Sequence, residues 1–323
     1  TMNWKNFLII PLLLLLALLS PGCAGNADNK GNADNKMKFG LLPIVDNLPF
    51  FVAEEKGYFQ AEGLDVEFIQ FASALERDSA VQAGEIDGTL GDILAVAALN
   101  NAGTPTQIVS LGLGETGQEG RFAILASPGS DIKTPEQLKN VPVAISTNSI
   151  IEYVTDNLLL EQGLKPEEIK KEAIPKIPVR YDLLMKDKIE AACLPDPLAV
   201  LAESGGAKKI IDDTSSNLSQ TVIYFRNDYL DKNSGNVTKL LKAYARAAAE
   251  INQNPENYWS LLVEKASVPQ EALGVFRMDH YPAPRLPEKE QVERVVQWML
   301  EKNLLKQNFT YEDLTRPGLL PQD

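Results

Sequence analysis

The apolar positions fall into two regimes. Residues 7–19 form one unbroken apolar run, and from residue 38 onward short apolar runs alternate with amphipathic stretches. Residues 38–44 read as a strand and 49–59 as a helix opened by Pro49, whose fixed φ and missing N–H suit a first helical turn. Residues 64–71 alternate as a half-buried strand does. Residues 75–83 repeat at helical spacing up to Gly84, a residue suited to the left-handed turn that ends a helix. A strand at 87–90, a helix at 93–101, and strands at 107–111 and 121–127 complete the first half. This rhythm predicts an α/β fold with a largely parallel sheet.

Pro128-Gly129-Ser130 interrupts the rhythm, which then restarts. Thr134 is placed to cap a short helix. A strand at 141–146, a helix at 150–162 closed by Gly163, and further elements at 179–186, 191–194 and 198–204 follow. After a strand at 221–225 the pattern is helical: 237–254, 255–265 and 289–304. The layout predicts two α/β lobes joined by a two-crossing hinge. Residues 37–127 build the first part of lobe one, 128–221 build lobe two, and 222–323 return to lobe one with a helical C-terminal region. The hinge is expected near Ser127 and Thr221.

The early apolar run belongs to neither lobe. Lys5 precedes it and Ser20-Pro21-Gly22-Cys23 follows, the charged, apolar, small-residue order of a secretory signal. A bilayer span takes about 20 residues, more than this run offers. The small residues before Cys23 resemble the lipobox of bacterial lipoproteins, in which the thiol is lipidated and becomes the new N-terminus. Residues 1–22 then read as a signal peptide and 23–36 as a lipid-anchored tether. The tether contains the tandem repeat Gly-Asn-Ala-Asp-Asn-Lys, at 25–30 and 31–36, with no large apolar residue to join a core. The expected location is extracytoplasmic, anchored to the bacterial cell membrane through Cys23.

The net charge of −13 argues against nucleic acid, whose phosphates call for basic patches. With Cys23 acylated, Cys193 has no intrachain partner, so no disulfide is expected. The lone His280 and the lack of paired Cys/His spacing suggest no metal site. Gly112-Leu-Gly114-Glu-Thr-Gly117 spells a dinucleotide fingerprint, but a strand-like run follows where a helix is needed. It reads as a lobe-one loop that reaches ligand through Glu115 or Thr116. No catalytic residue and no cofactor are expected.

The run from Gly40 to Phe59, with its Ala-Glu-Glu-Lys-Gly-Tyr-Phe block at 53–59, together with Gly63–Glu67 and Gly84–Gly88, resembles the NitT/TauT family. Its members are extracytoplasmic substrate-binding proteins of ABC importers for nitrate, taurine, other sulfonates and thiamine-precursor pyrimidines. Thr134–Leu138 and Lys188–Ala192 extend the resemblance. It implies the periplasmic binding protein type II fold, with ligand clamped between two lobes, and it puts ligand contacts in the Asp46-Asn47 loop. Asp196 and Pro195 stand where many relatives carry an aromatic-containing motif; here Pro195 replaces the aromatic.

The residues themselves support a cleft. Ser146-Thr147-Asn148-Ser149 opens a helix after a strand and offers hydroxyls, an amide and helix-terminal N–H groups. Gly91 and Asp92 close the third strand, with Asp92 best read as the cap of the next helix. Tyr224 is a further candidate for the lining. The cleft-edge candidates Asp46, Asp92, Glu115 and Asp196 are acidic, with Arg121 the nearby cation. That balance favours a neutral or amine-bearing heterocycle such as a thiamine-precursor pyrimidine over a free anion. The alternatives are a sulfonate, taurine or nitrate binder, or an enzyme on the same fold, pyrimidine synthase-like or menaquinone-pathway-like. The synthase type relies on an active-site histidine and a cysteine-rich motif, whereas Ala191-Ala192-Cys193-Leu194 has one cysteine. The expected partners are a small-molecule ligand and an ABC permease, with the protein itself a monomer.

Overall fold

The computed structural model describes residues 36–322. The signal, Cys23 and nearly all of the tether lie outside the described residues. In chain order the regular elements are β1 (Met37–Leu41), α1 (Leu48–Glu55), α2 (Tyr58–Ala61), β2 (Val66–Gln70), α3 (Ala74–Ala83), β3 (Gly88–Asp92), α4 (Ile93–Asn101), β4 (Thr106–Leu111) and β5 (Phe122–Ala126). There follow β6 (Pro142–Ile145), α5 (Ile150–Glu161), β7 (Lys170–Ala173), α6 (Ile177–Met185), β8 (Ala191–Pro195), α7 (Leu198–Ser204), β9 (Lys208–Asp212) and β10 (Thr221–Arg226). The C-terminal part is helical: α8 (Asn227–Gln253), α9 (Trp259–Lys265), α10 (Lys289–Glu301) and α11 (Tyr311–Leu314).

The strands form two five-stranded sheets of one plan, β2-β1-β3-β10-β4 and β7-β6-β8-β5-β9. In each, a single antiparallel strand sits fourth: β10 against β3 and β4, and β5 against β8 and β9. Those two strands are where the chain crosses between lobes. The observed crossing differs from the expected one. Residues 122–126 belong to the second sheet, so the first crossing is the loop 112–121 and not Ser127. Pro128 and Gly129 break the pattern without changing lobe, because the burial of β5 between β8 and β9 fixes its sheet.

The two crossings are stapled to each other. Gly112 N–H donates to Thr221 O at 2.7 Å, and Leu113 N–H donates to the Thr221 hydroxyl at 2.8 Å. The Ser219 hydroxyl donates to Gly120 O at 2.9 Å. Gly117 lies so close to Thr214 that a Cβ would sit 2.1 Å from the Thr214 carbonyl oxygen, which leaves room only for glycine.

Three apolar clusters hold the fold. One packs α1 and α8 on the first sheet, around Phe39, Phe50, Phe225 and Tyr244. One packs α6 and α7 on the second sheet, around Leu184, Leu194 and Ala199. The third joins α4, α5 and α10, with the Tyr153 and Trp298 rings edge to face at 5.5 Å. Helix α10 therefore touches both lobes.

Candidate functional site

The parallel strands of both sheets end facing the two crossings, the place where α/β sheets form crevices. On the lobe-one side, a tight 3-10 turn after β1 buries Asp46 and Asn47. The Asn47 amide donates to Leu42 O at 2.7 Å, while its Oδ1 is buried without a partner. Burial raises the Asp46 pKa; the Thr221 side chain and its own backbone oppose that only in part.

The irregular stretch between α9 and α10 adds Asp279 and Tyr281. Asp279 Oδ1 accepts from Gly120 N–H at 3.2 Å, and Oδ2 is buried with no partner. Burial first, and then the negative charge of Asp46, pushes Asp279 well above the usual carboxylate range. The Tyr281 hydroxyl donates to Val45 O at 2.7 Å, which locks this stretch onto the β1 turn. Tyr244, on α8, is fully buried, and its hydroxyl is unpartnered within the electrostatic reach of Asp46 and Glu119. Glu119 is satisfied by contrast. It accepts from the N–H groups of Gly114 and Glu115 at 3.0 and 2.9 Å and so shapes the crossing loop. No lysine or arginine pairs with Asp46 or Asp279 among the described residues.

The lobe-two side is organised by arginines. Arg121 holds Asp196 through two bonds of 2.9 and 3.0 Å and also reaches Glu203 at 2.7 Å and Asp212 at 3.3 Å. Asp196 additionally accepts from Val200 N–H at 3.1 Å. The Ser146 hydroxyl donates to Pro175 O at 3.0 Å, and Ser149 caps α5 by accepting from Ile151 N–H at 3.2 Å. Arg180, on α6, lies buried beneath this loop.

The candidates from sequence therefore separate. Asp46, Asn47 and the 146–149 loop lie at the crevice edges of their sheets, with Thr147 and Asn148 exposed. Pro195 ends β8, and Asp196 is committed to Arg121. Asp92 caps α4 by accepting from Ala95 N–H at 2.8 Å, the reading favoured from sequence. Gly91 is set by packing, since a Cβ there would lie 2.8 Å from Tyr224 and 3.0 Å from Arg77. Glu115 pairs with Arg285, and Thr116 donates to Glu119 at 3.3 Å. Tyr224 is fully buried, and its hydroxyl donates to Asp78 at 3.2 Å, so it belongs to the core and not to the crevice lining. Arg121 offers no free charge to an anion. Sequence reasoning missed Glu119, Arg180, Tyr244, Asp279 and Tyr281. Among the described residues no group of three or more His, Cys, Asp or Glu is arranged to hold a metal. Two surface hollows, one lined by Ser127, Ser130 and Asp187 and one by Gln107, Asn227 and Arg316, lie at the far ends of the sheets from the crevice.

Residues 45–258 match the family model described as NMT1/THI5 like, and the chain belongs to that family. It is 27% identical over 240 residues, 69% of this chain and 68% of the relative, to 4-amino-5-hydroxymethyl-2-methylpyrimidine phosphate synthase THI11 of Saccharomyces cerevisiae. In fold it is similar to the periplasmic aliphatic sulphonate binding protein SsuA of Escherichia coli, with a TM-score of 0.76 and 18% identity over 90% of this chain and 94% of that one. It is also similar to the desulfurization enzyme DSZB, with a TM-score of 0.68 and 15% identity over 88% and 97% of the two chains. The expected periplasmic binding protein fold is the fold observed. That fold carries both binding proteins and enzymes, so function has to be argued from the site.

Proposed function

We propose that this member of the NMT1/THI5-like family is an extracytoplasmic solute-binding protein, lipid-anchored at Cys23, that closes its lobes on a small amine-bearing heterocycle and delivers it to an ABC permease. A thiamine-precursor aminopyrimidine is the ligand the site suits best. One observation carries this reading: Asp46 is buried and Asp279, half-buried as a residue, has its Oδ2 fully enclosed at the crevice, neither with a counter-cation, beside the unpartnered Asn47 Oδ1 and Tyr244 hydroxyl. A buried carboxylate without a partner is costly, and a ligand ammonium or ring N–H supplies what is missing. A nitrate or simple sulfonate would bring a further negative charge to the same place. Arg121 gives it no relief, because three carboxylates already surround that guanidinium.

The yeast relatives' names favour a second reading, chemistry on a pyrimidine. Against it, Cys193 is fully buried and burial pushes its thiol up to about 11, whereas thiol chemistry uses the thiolate. His280 is exposed beside Asp279 and is the one histidine available to such a reaction.

A thermal-shift series at pH 7 with 4-amino-5-hydroxymethyl-2-methylpyrimidine, methanesulfonate and nitrate tests the first reading. Ligand at a hundred times its Kd should add about 2.7 kcal/mol of stability. Stabilisation by the pyrimidine alone supports amine capture; stabilisation by methanesulfonate or nitrate alone contradicts it. Recovery of a chemically altered pyrimidine after incubation would favour the enzyme.

A further inference from the structure

We infer that lobe two carries an oxyanion subsite centred on Arg180, so that the captured molecule bears a phosphate, sulfonate or carboxylate at the end opposite its amine. The inference deepens the amine-capture reading and rests on it. Arg180 is fully buried. Its Nε donates to Cys193 O at 2.9 Å, and its Nη1 donates to Ile174 O at 2.6 Å and to the Ser146 hydroxyl at 3.2 Å. Its Nη2 is buried with no partner. No carboxylate pairs with it among the described residues, in contrast to Arg121 with its three. Burial lowers its pKa to about 10, which still leaves a cation at neutral pH. An uncompensated buried charge is among the costliest things a fold can keep.

Its position indicates what would compensate it. Ser146 begins the loop that opens α5, and the Ser149 hydroxyl donates back to Ser146 O at 2.6 Å, which ties the guanidinium to that loop. The N-terminus of α5, a helix of 12 residues, adds partial positive charge at the same place. Glu152 lies in the first turn, but Lys171 at 2.8 Å, Lys302 at 2.9 Å and Asn148 N–H at 2.6 Å already occupy it. A planar guanidinium with free N–H groups beside helix-terminal amides matches an oxyanion. Across the crevice stand Asp46 and Asp279, so the two faces have opposite unsatisfied charges.

Calorimetry on the full chain compares 4-amino-5-hydroxymethyl-2-methylpyrimidine with its phosphate monoester, and adds taurine, which joins an amine to a sulfonate. The ester should bind about tenfold tighter than the alcohol or more, the size of one charge-assisted hydrogen bond. Arg180→Gln should remove that increment, so that ester and alcohol bind the variant alike, and Arg180→Lys should keep part of it. Taurine binding that Arg180→Gln abolishes would support the same subsite and identify a sulfonate as its oxyanion. If the alcohol binds wild type and the ester binds no tighter, the subsite is wrong while amine capture stands. If none of the three binds, the reading of the crevice fails and the subsite with it. The wild-type comparison needs no variant, so misfolding of Arg180→Gln would not spare the inference.

Discussion

Two clusters of buried carboxylates in this molecule meet opposite fates. Between α5 and α10, Glu152 and Asp156 are nearly as deeply buried as any acid in the fold, yet each is bonded. Lys171 reaches both at 2.8 and 2.7 Å, Lys302 reaches both at 2.9 and 3.5 Å, and the Trp298 indole donates to Asp156 at 3.2 Å. Burial acts upward on Glu152, but its lysine partners outweigh it and hold the pKa below the usual range. At the crevice, Asp46 and Asp279 are raised because burial outweighs their few hydrogen bonds and no cation pairs with them. Opposite pairing separates a cluster that holds lobe two to α10 from one that has no cation of its own, the one proposed to take a ligand. Arg121 and Arg180 repeat the contrast with the sign reversed.

Breaking the paired side should have the largest effect. Arg121→Met strips the cation from Asp196, Glu203 and Asp212 and should cost about 3–5 kcal/mol in urea unfolding. Asp279→Asn breaks the unpaired side. It should weaken binding of the amine-bearing ligand by about 1.5–3 kcal/mol in calorimetry, the range for hydrogen bonds to charged groups. Unlike Arg121→Met, it should raise the unfolding midpoint of the ligand-free protein at neutral pH, because the cost of enclosing an ionisable carboxyl is removed. Lys302→Met leaves Lys171 in place, so about 1–2 kcal/mol of destabilisation is expected.

A pH series sharpens the contrast further. Asp213 has its folded-state pKa raised to about 6, from an ordinary 3.8, by burial. Between those values the folded protein holds a proton that the unfolded chain releases, so stability rises as pH falls from above 6 toward 4. Asp46 and Asp279 act in the same direction. Asp212 acts in the other. Burial pushes it upward, but Lys209 and Thr214 hold it at about 2, so its stabilisation is lost as pH falls from 4 toward 2. Urea midpoints should therefore rise from pH 7 to about 5 and fall in stronger acid, with Asp213→Asn flattening the rise. The smallest effect belongs to Thr147→Ala. This exposed residue should change stability by less than about 0.5 kcal/mol.

The two-lobe plan was legible because it is written in periodicity: helices α4 and α7 begin and end where the spacing of apolar residues places them. Strands β7 and β9 escaped notice because they are sheet edges, and Lys170-Lys171-Glu172-Ala173 and Lys208-Lys209 carry polar side chains that an edge tolerates. The first crossing was misplaced because Pro128-Gly129 is a strong local signal, whereas sheet membership of β5 is set by pairing with β8 and β9; the return crossing does enter the first sheet at Thr221. Asp46 and Asn47 were legible from the strand-to-helix turn that holds them. Asp279 and Tyr281 were not, because residues 266–288 have no periodicity, and what ties them to the β1 turn is tertiary: the Tyr281 hydroxyl on Val45 O and shared apolar packing. Arg180 was invisible for a different reason. An arginine on a helix is ordinary in sequence, and its lack of a counterion exists only in three dimensions.

The central claim is that the unpaired carboxylates of the crevice recognise an N–H or ammonium group. Calorimetric titration of 4-amino-5-hydroxymethyl-2-methylpyrimidine into wild type and into the Asp46→Asn, Asp279→Asn double variant tests it most directly. The account predicts binding to wild type and loss of about 1.5 kcal/mol or more in the double variant, with the variant folded and at least as stable in the ligand-free state. Equal affinity for both proteins would contradict it.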